Sequence, residues 1–232
     1  MSGSHKICAV VPVKDTRQAK QRLAGILAGA RRQELALAML EDVLATLARV
    51  RELAGIVVVT ADPAAAATAI SHGARVARDG AGDGHSGAVA AAARQLTTEG
   101  FDMLTLPGDI PLVEGEDIRE LIAVHHVGAQ RDARAFTIVP ARDERGSNAV
   151  LCSPAAAVPL RFGNDSFFPH LAAAKACGIA PAVVRLPRIA LDIDTPEDVA
   201  LFLEYSSRTR AHGLLTRWRG DRHDGMLRKA TA

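Results

Sequence analysis

Short runs of β-branched and aliphatic residues alternate along this chain with segments whose apolar positions recur at helical spacing, and that alternation restricts the fold most. Ile7-Cys8-Ala9-Val10-Val11-Pro12-Val13 reads as a buried first strand. Leu37, Leu40, Val43, Leu44 and Leu47 predict an amphipathic helix across roughly Arg31–Val50. Ile56–Thr60 predicts a second strand, and Asp62-Pro63 opens a helix with aspartate as N-cap and proline in the first turn. Ala74–Ala77 predicts a third strand, Gly80–Gly87 a glycine-rich loop, Ala88–Leu96 a helix and Asp102–Leu106 a fourth strand. Further strands are expected at Ala135–Pro140, Ala149–Cys152 and Ala182–Leu186, and a last helix from Thr195, its N-cap. Such a pattern makes an α/β fold: a mostly parallel, twisted sheet with helices on both faces. Ligands of these sheets gather beyond the carboxyl ends of the strands. The loops after the first, third and fourth strands are therefore where a site is sought.

The 232 residues suffice for one such domain, expected over residues 6–204. Aromatic residues are only 3%, so Ala, Val, Leu and Ile must build the core. A net charge of +2 gives no general reason to expect nucleic acid or membrane as partner. No stretch approaches the roughly 20 apolar residues of a membrane span, and Met1–Lys6 is too short and polar for a signal peptide. Cys8, Cys152 and Cys177 are odd in number and widely spaced, which argues against a disulfide framework and for a reducing cytoplasm. Residues 205–232 carry Arg208, Arg210, Arg217, Arg219, Arg222, Arg228 and Lys229 with little apolar periodicity. They read as a solvated or partly disordered basic tail, with anion binding or subunit contact as the alternative.

Four segments hold residues with chemistry. After the first strand, Lys14, Arg17, Lys20 and Arg22 follow at short intervals. Cations at that edge could neutralise a triphosphate and a departing pyrophosphate; a solvated basic turn would look the same. The Walker-type glycine consensus is absent. After the fourth strand comes Pro107-Gly108-Asp109-Ile110-Pro111, where the prolines stiffen the backbone around a carboxylate. In Leu191-Asp192-Ile193-Asp194-Thr195, an extended chain points both aspartates to one face. Two carboxylates so placed suit a hard cation such as Mg²⁺; the alternative is that Asp194 caps the helix that follows. Asp143–Ala149 and Arg161–His170 are loops with backbone donors and small hydroxyls, in which Gly163 can let N–H groups approach an anion and Ser166 can start a helix. Ordinary turn chemistry would also explain them.

Taken in order, Val11–Leu23, Asp109–Leu112, Gly146–Ala149, Phe162–Ser166 and Asp192–Asp198 resemble the motifs of the 2-phospho-L-lactate guanylyltransferase family, which serves biosynthesis of the deazaflavin coenzyme F-420. The resemblance covers roughly Lys6 to Leu203. It implies a single nucleotidyltransferase domain similar to the molybdenum-cofactor guanylyltransferases. It implies a cytoplasmic enzyme that moves GMP from GTP to a small phosphorylated acid: 2-phospho-L-lactate, phosphoenolpyruvate or 3-phospho-D-glycerate. Asp109, Asp192 and Asp194 would bind Mg²⁺ and, with Lys14, carry catalysis. Lys14, Lys20, Arg22, Gly84, Ser86 and Pro107 would contact the nucleotide. Ser147, Gly163 and Ser166 would line the acceptor pocket. The product would pass to the deazaflavin-transferring enzyme, with no nucleic acid or membrane involved; the oligomeric state, a homodimer included, is open. Many relatives carry G-L-N-A-A where this chain has Gly84-His85-Ser86-Gly87-Ala88, which leaves the choice of guanine over other bases open. Rival readings are a molybdopterin or sugar acceptor on the same fold, and a non-catalytic nucleotide-binding module. The L-A-G-G signature of the molybdenum enzymes is replaced by Val11-Pro12-Val13-Lys14.

Overall fold

The computed structural model describes residues 6–129, 134–163 and 165–220. Chain order is β1 (Ile7–Pro12), α1 (Gly29–Leu47), β2 (Leu53–Val59), α2 (Pro63–Ser71), β3 (Arg75–Ala77), α3 (Gly84–Thr98), β4 (Asp102–Thr105) and α4 (Gly115–Ala129). It continues with β5 (Ala135–Pro140), β6 (Ser147–Ser153), α5 (Phe167–Ala176), β7 (Pro181–Val183), α6 (Pro187–Ala190), α7 (Pro196–Glu204) and α8 (Arg210–Gly220). The strands form one seven-stranded sheet in the order β3-β2-β1-β4-β6-β5-β7. β1 pairs in parallel with β2 and β4, and β2 with β3. β6 runs antiparallel to both β4 and β5, while β5 and β7 are parallel. The expected mostly parallel sheet is thus present, with β6 reversed.

The period-two pattern of the strands explains why both faces are covered. Ile7, Ala9 and Val11 pack on one side with Leu40, Val43, Leu44 and Leu47 of α1 and with Ile118, Leu121 and Ile122 of α4. Cys8 and Val10 face the other side and pack with Val89, Ala92 and Leu96 of α3 and Phe167 of α5. The strand order reverses between β1 and β4, since the chain builds outward to β3 before crossing to β4. A cleft belongs at such a switch point.

Two expectations need correction. The tail from Tyr205 is not solvated throughout, because α8 buries Ala211, Leu214, Leu215 and Trp218 against Leu35, Ala38 and Met39 of α1. Those four residues stand at helical spacing, and Asp42 accepts hydrogen bonds from the N–H groups of Arg210 (2.8 Å) and Ala211 (2.9 Å) at the helix start. The folded part therefore extends past residue 204, at least to Gly220; Asp221 to Ala232, with Arg222, Arg228 and Lys229, lie outside the described residues, as do Met1 to His5. The glycine-rich loop is also shorter than expected. α3 already begins at Gly84, so Gly84 and Ser86 occupy its first turn. Among the described residues no helix is long and apolar enough to cross a membrane.

Candidate active site

At the carboxyl ends of β1 and β4 opens a cleft of about 890 Å³. It is lined by Lys14, Arg22, Gly84, Ser86, Pro107, Asp109, Ser147, Gly163, Ser166, Asp192 and Asp194, so the structure gathers the residues singled out from the sequence except Lys20 and Arg17, the latter an exposed side chain paired with Asp15. Asn164 lies outside the described residues. The reversal of β6 explains how Ser147 and Asn148 arrive there: an antiparallel strand brings its amino end to the edge where its neighbours bring their carboxyl ends.

Asp109 follows β4 on a turn that lies close over β1 and α1. A Cβ on Gly108 would stand 3.2 Å from Leu40 Cδ1 and 3.5 Å from Val11 Cγ1, so glycine allows this approach. The Ile193 N–H donates to the Asp109 carbonyl at 3.0 Å and ties the Asp192–Asp194 segment alongside. From β6, the Asn148 amide donates to the Ile189 and Ala190 carbonyls and to Asp192 Oδ1 at 3.0–3.1 Å. Asp194 does not cap α7. Thr195 and Asp198 form a reciprocal capping box instead, which frees Asp194 for the cleft.

Lys20 lies beneath the cleft. Its ammonium donates to Asp109 Oδ2 and stands 3.6 Å from Asp194 Oδ1, with the side chain only 7% exposed. Burial works against its charge. Attraction to Asp109, its hydrogen bond to that residue, and then Asp194 and Asp192 outweigh the burial and hold its pKa above the ordinary value. Its backbone adopts left-handed angles of φ 54° and ψ 43°, which cost a residue with a Cβ about 1 kcal/mol. The ion pairs hold that conformation in place. Arg22 adds a second cation at 3.0 Å from Asp194 Oδ2.

The carboxylates themselves are crowded. Burial, followed by the charge of Asp109, pushes Asp192 above the usual carboxylate range against the opposing pull of Asn148 and Lys20. Asp109 Oδ1 is buried without a hydrogen-bond partner. Among the described residues no three His, Cys, Asp or Glu side chains already stand as a closed metal cage, and the Lys20 ammonium sits between two of the aspartates. Hard oxygen donors with one orphaned buried atom and mutual repulsion nonetheless fit a divalent cation in character.

The opposite wall carries residues to which the sequence assigned no role. His85 in α3 packs against Phe162 at a tilt of 44° with centroids 4.5 Å apart, and Phe162 meets the His170 ring edge-on at 4.9 Å. The Ser86 hydroxyl accepts from the Phe162 N–H (2.8 Å) and reaches its carbonyl (3.3 Å), so it is engaged in fastening the Phe162 loop to α3. Burial lowers the pKa of both His85 and His170 to about 4, and the two rings are neutral at neutral pH. Gly163 has a φ of +153° with open space around it, so backbone conformation rather than crowding favours glycine there. Arg142 and Arg145 add cations to the rim, paired with Asp198 (3.0 Å) and Asp165 (3.1 Å) respectively.

Residues 7–221 match the family model described as "Guanylyl transferase CofC like". The chain is 37% identical over 213 residues to a phosphoenolpyruvate guanylyltransferase of Conexibacter woesei, covering 90% of this chain and 92% of that one. It is 33% identical over 199 residues to a 3-phospho-D-glycerate guanylyltransferase of Colwellia psychrerythraea, covering 85% and 91%. Among solved structures, it superposes on a candidate nucleotide-diphospho-sugar transferase from Desulfovibrio desulfuricans G20 with a TM-score of 0.73 at 18% identity, covering 97% of this chain and 98% of that one. That likeness concerns the fold.

Proposed function

This chain belongs to the guanylyl transferase CofC-like family, and from that premise we propose that its cleft moves GMP from GTP to the phosphate of a small phosphorylated carboxylic acid. The observation that carries this reading is one cleft in which three aspartates, backed from beneath by buried Lys20, and two lining cations, Lys14 and Arg22, meet a wall of small hydroxyls, Ser147 and Ser166. The named relatives act on phosphoenolpyruvate and 3-phospho-D-glycerate; these and 2-phospho-L-lactate are the acceptors proposed here.

An oxygen of the acceptor phosphate attacks the α-phosphorus of GTP. A new P–O–P link forms, the bond from the α-phosphorus to the bridging oxygen breaks, and pyrophosphate leaves with that oxygen. A phosphate monoester has its second pKa near ~6 and is already largely ionised at neutral pH, so no general base is required. The difficulty is the approach of one polyanion to another. Lys14 and Arg22 line the cleft and offset charge on the triphosphate, while buried Lys20 holds Asp109 and Asp194 in register. Asp109, Asp192 and Asp194 would hold Mg²⁺, which when bound supplies positive charge to reacting phosphates. Gly84 and Ser86, in the first turn of α3, present a helix amino end to the nucleotide side of the cleft. The product would then pass, in the cytoplasm, to an enzyme that transfers it to a deazaflavin acceptor.

Supplying GTP with each of the three acids in turn tests the reading. Pyrophosphate should appear only when GTP and one of the acids are both present, with ATP and CTP at least tenfold poorer donors. Equal release with the acids omitted would contradict it.

A further inference from the structure

Ser147 Oγ is a point where two side chains, His170 and Ser166, converge, and the direction of each hydrogen bond can be assigned. The Arg161 N–H donates to His170 Nε2 at 3.0 Å. A peptide N–H cannot accept, so Nε2 is a bare lone pair. The ring is buried and neutral, and its single proton therefore sits on Nδ1. Nδ1 lies 3.0 Å from Ser147 Oγ and so donates to it. Ser166 Oγ, 3.3 Å away, donates to the same oxygen. A hydroxyl has two lone pairs and one proton. Both lone pairs of Ser147 are taken, and its proton has no acceptor among the described residues, although the residue lines the cleft.

We infer that His170 is a positioning residue that turns the Ser147 hydroxyl into a committed donor toward an anionic oxygen of the acceptor acid. This rests on the proposed acceptor site. The chain of support runs back to α3: Ser86 and His85 hold Phe162, the adjoining Arg161 N–H pins Nε2, and the pinned ring sets Nδ1 on Ser147. Among the described residues the ring's hydrogen bonds go to Ser147 and the Arg161 N–H and to none of the cleft aspartates, Lys14 or Arg22, so its effect falls on the acceptor and not on the nucleotide.

A double-mutant cycle on the full chain tests this. His170→Leu should raise KM for the acceptor acid about tenfold while KM for GTP moves less than twofold. His170→Asn, whose side-chain amide can still donate to Ser147, should recover most of that loss. In a Ser147→Ala background, His170→Leu should add less than a twofold effect; losses that multiply independently would overturn the inference. The tautomer is read separately on the unmodified protein by nitrogen-15 NMR of the histidine rings. A protonated Nδ1 and bare Nε2 at His170 are expected, and a protonated Nε2 would overturn the inference even if the leucine variant fails to fold. Absence of turnover with all three acids, with Nδ1 protonated, would count against the proposed reaction and leave the positioning of Ser147 supported.

Discussion

Asp192→Asn should lower turnover by about a thousandfold, roughly 4 kcal/mol of transition-state stabilisation, while the protein melts at the same temperature or slightly higher. The two halves of this result have one cause. Burial and the neighbouring charge of Asp109 make an ionised Asp192 unfavourable in the fold. Asparagine has the same shape and removes that repulsion. Its carbonyl can still accept from Asn148, which now donates to Asp192 Oδ1 at 3.0 Å. Stability is therefore kept or slightly raised. Activity is lost because a neutral amide is a far poorer hard-cation ligand, and the charge that lets two anions meet is weakened. Full activity of the variant in excess EDTA would contradict the assignment. So would a fall in melting temperature large enough to explain the lost turnover.

Lys20→Met carries the largest expected effect on stability. Methionine keeps the apolar stem but removes the ammonium from Asp109 and Asp194. Breaking a buried ion pair from one side costs about 3–5 kcal/mol. Asp194 is 35% exposed, so solvent screening reduces the figure to roughly 2–4 kcal/mol. For a chain of this size that is on the order of 5–10 °C in melting temperature. Millimolar Mn²⁺ or Mg²⁺ should restore much of the loss, and should raise the variant's melting temperature more than the parent's, because the parent already has a cation among its carboxylates. Thermal melts with and without metal measure both effects. A variant as stable as the parent, or one indifferent to metal, would contradict the role given to Lys20.

Part of this site was legible in the sequence for a definite reason. β1, β4 and the Ile56–Val59 half of β2 are buried on both faces, so their apolar runs announce parallel strands, and the residues just beyond them fall at the ligand edge. That puts Lys14 and Asp109 at the edge where ligands gather, while their roles come from the family resemblance. The alternation expected of an extended segment likewise brings Asp192 and Asp194 to one place, although the structure forms no strand there. The direction of β6 is different: its buried residues Ala149–Cys152 read alike whichever way the strand runs. Yet its reversal delivers Ser147 and Asn148 to the cleft. α4 left a usable signal in Ile118, Leu121 and Ile122, and α8 left one in Ala211, Leu214, Leu215 and Trp218, where the surrounding arginines obscured it. Lys20 looked like one of several cations on a basic turn. Only the tertiary fold puts it beneath the aspartates, in a left-handed conformation that no local propensity favours. His170 stands 23 residues from Ser147, and its role depends on a peptide N–H whose direction the sequence does not encode.

The central claim is that an already ionised acceptor phosphate is the nucleophile at the α-phosphorus. It is tested most directly by running the reaction with acceptor acid whose phosphate oxygens are labelled with oxygen-18. The product is then read by phosphorus-31 NMR. The labelled oxygen should become the bridge, so that the phosphorus derived from GTP shows one isotope shift and the released pyrophosphate shows none. A GTP-derived phosphorus without an isotope shift, or label in the pyrophosphate, would contradict the account.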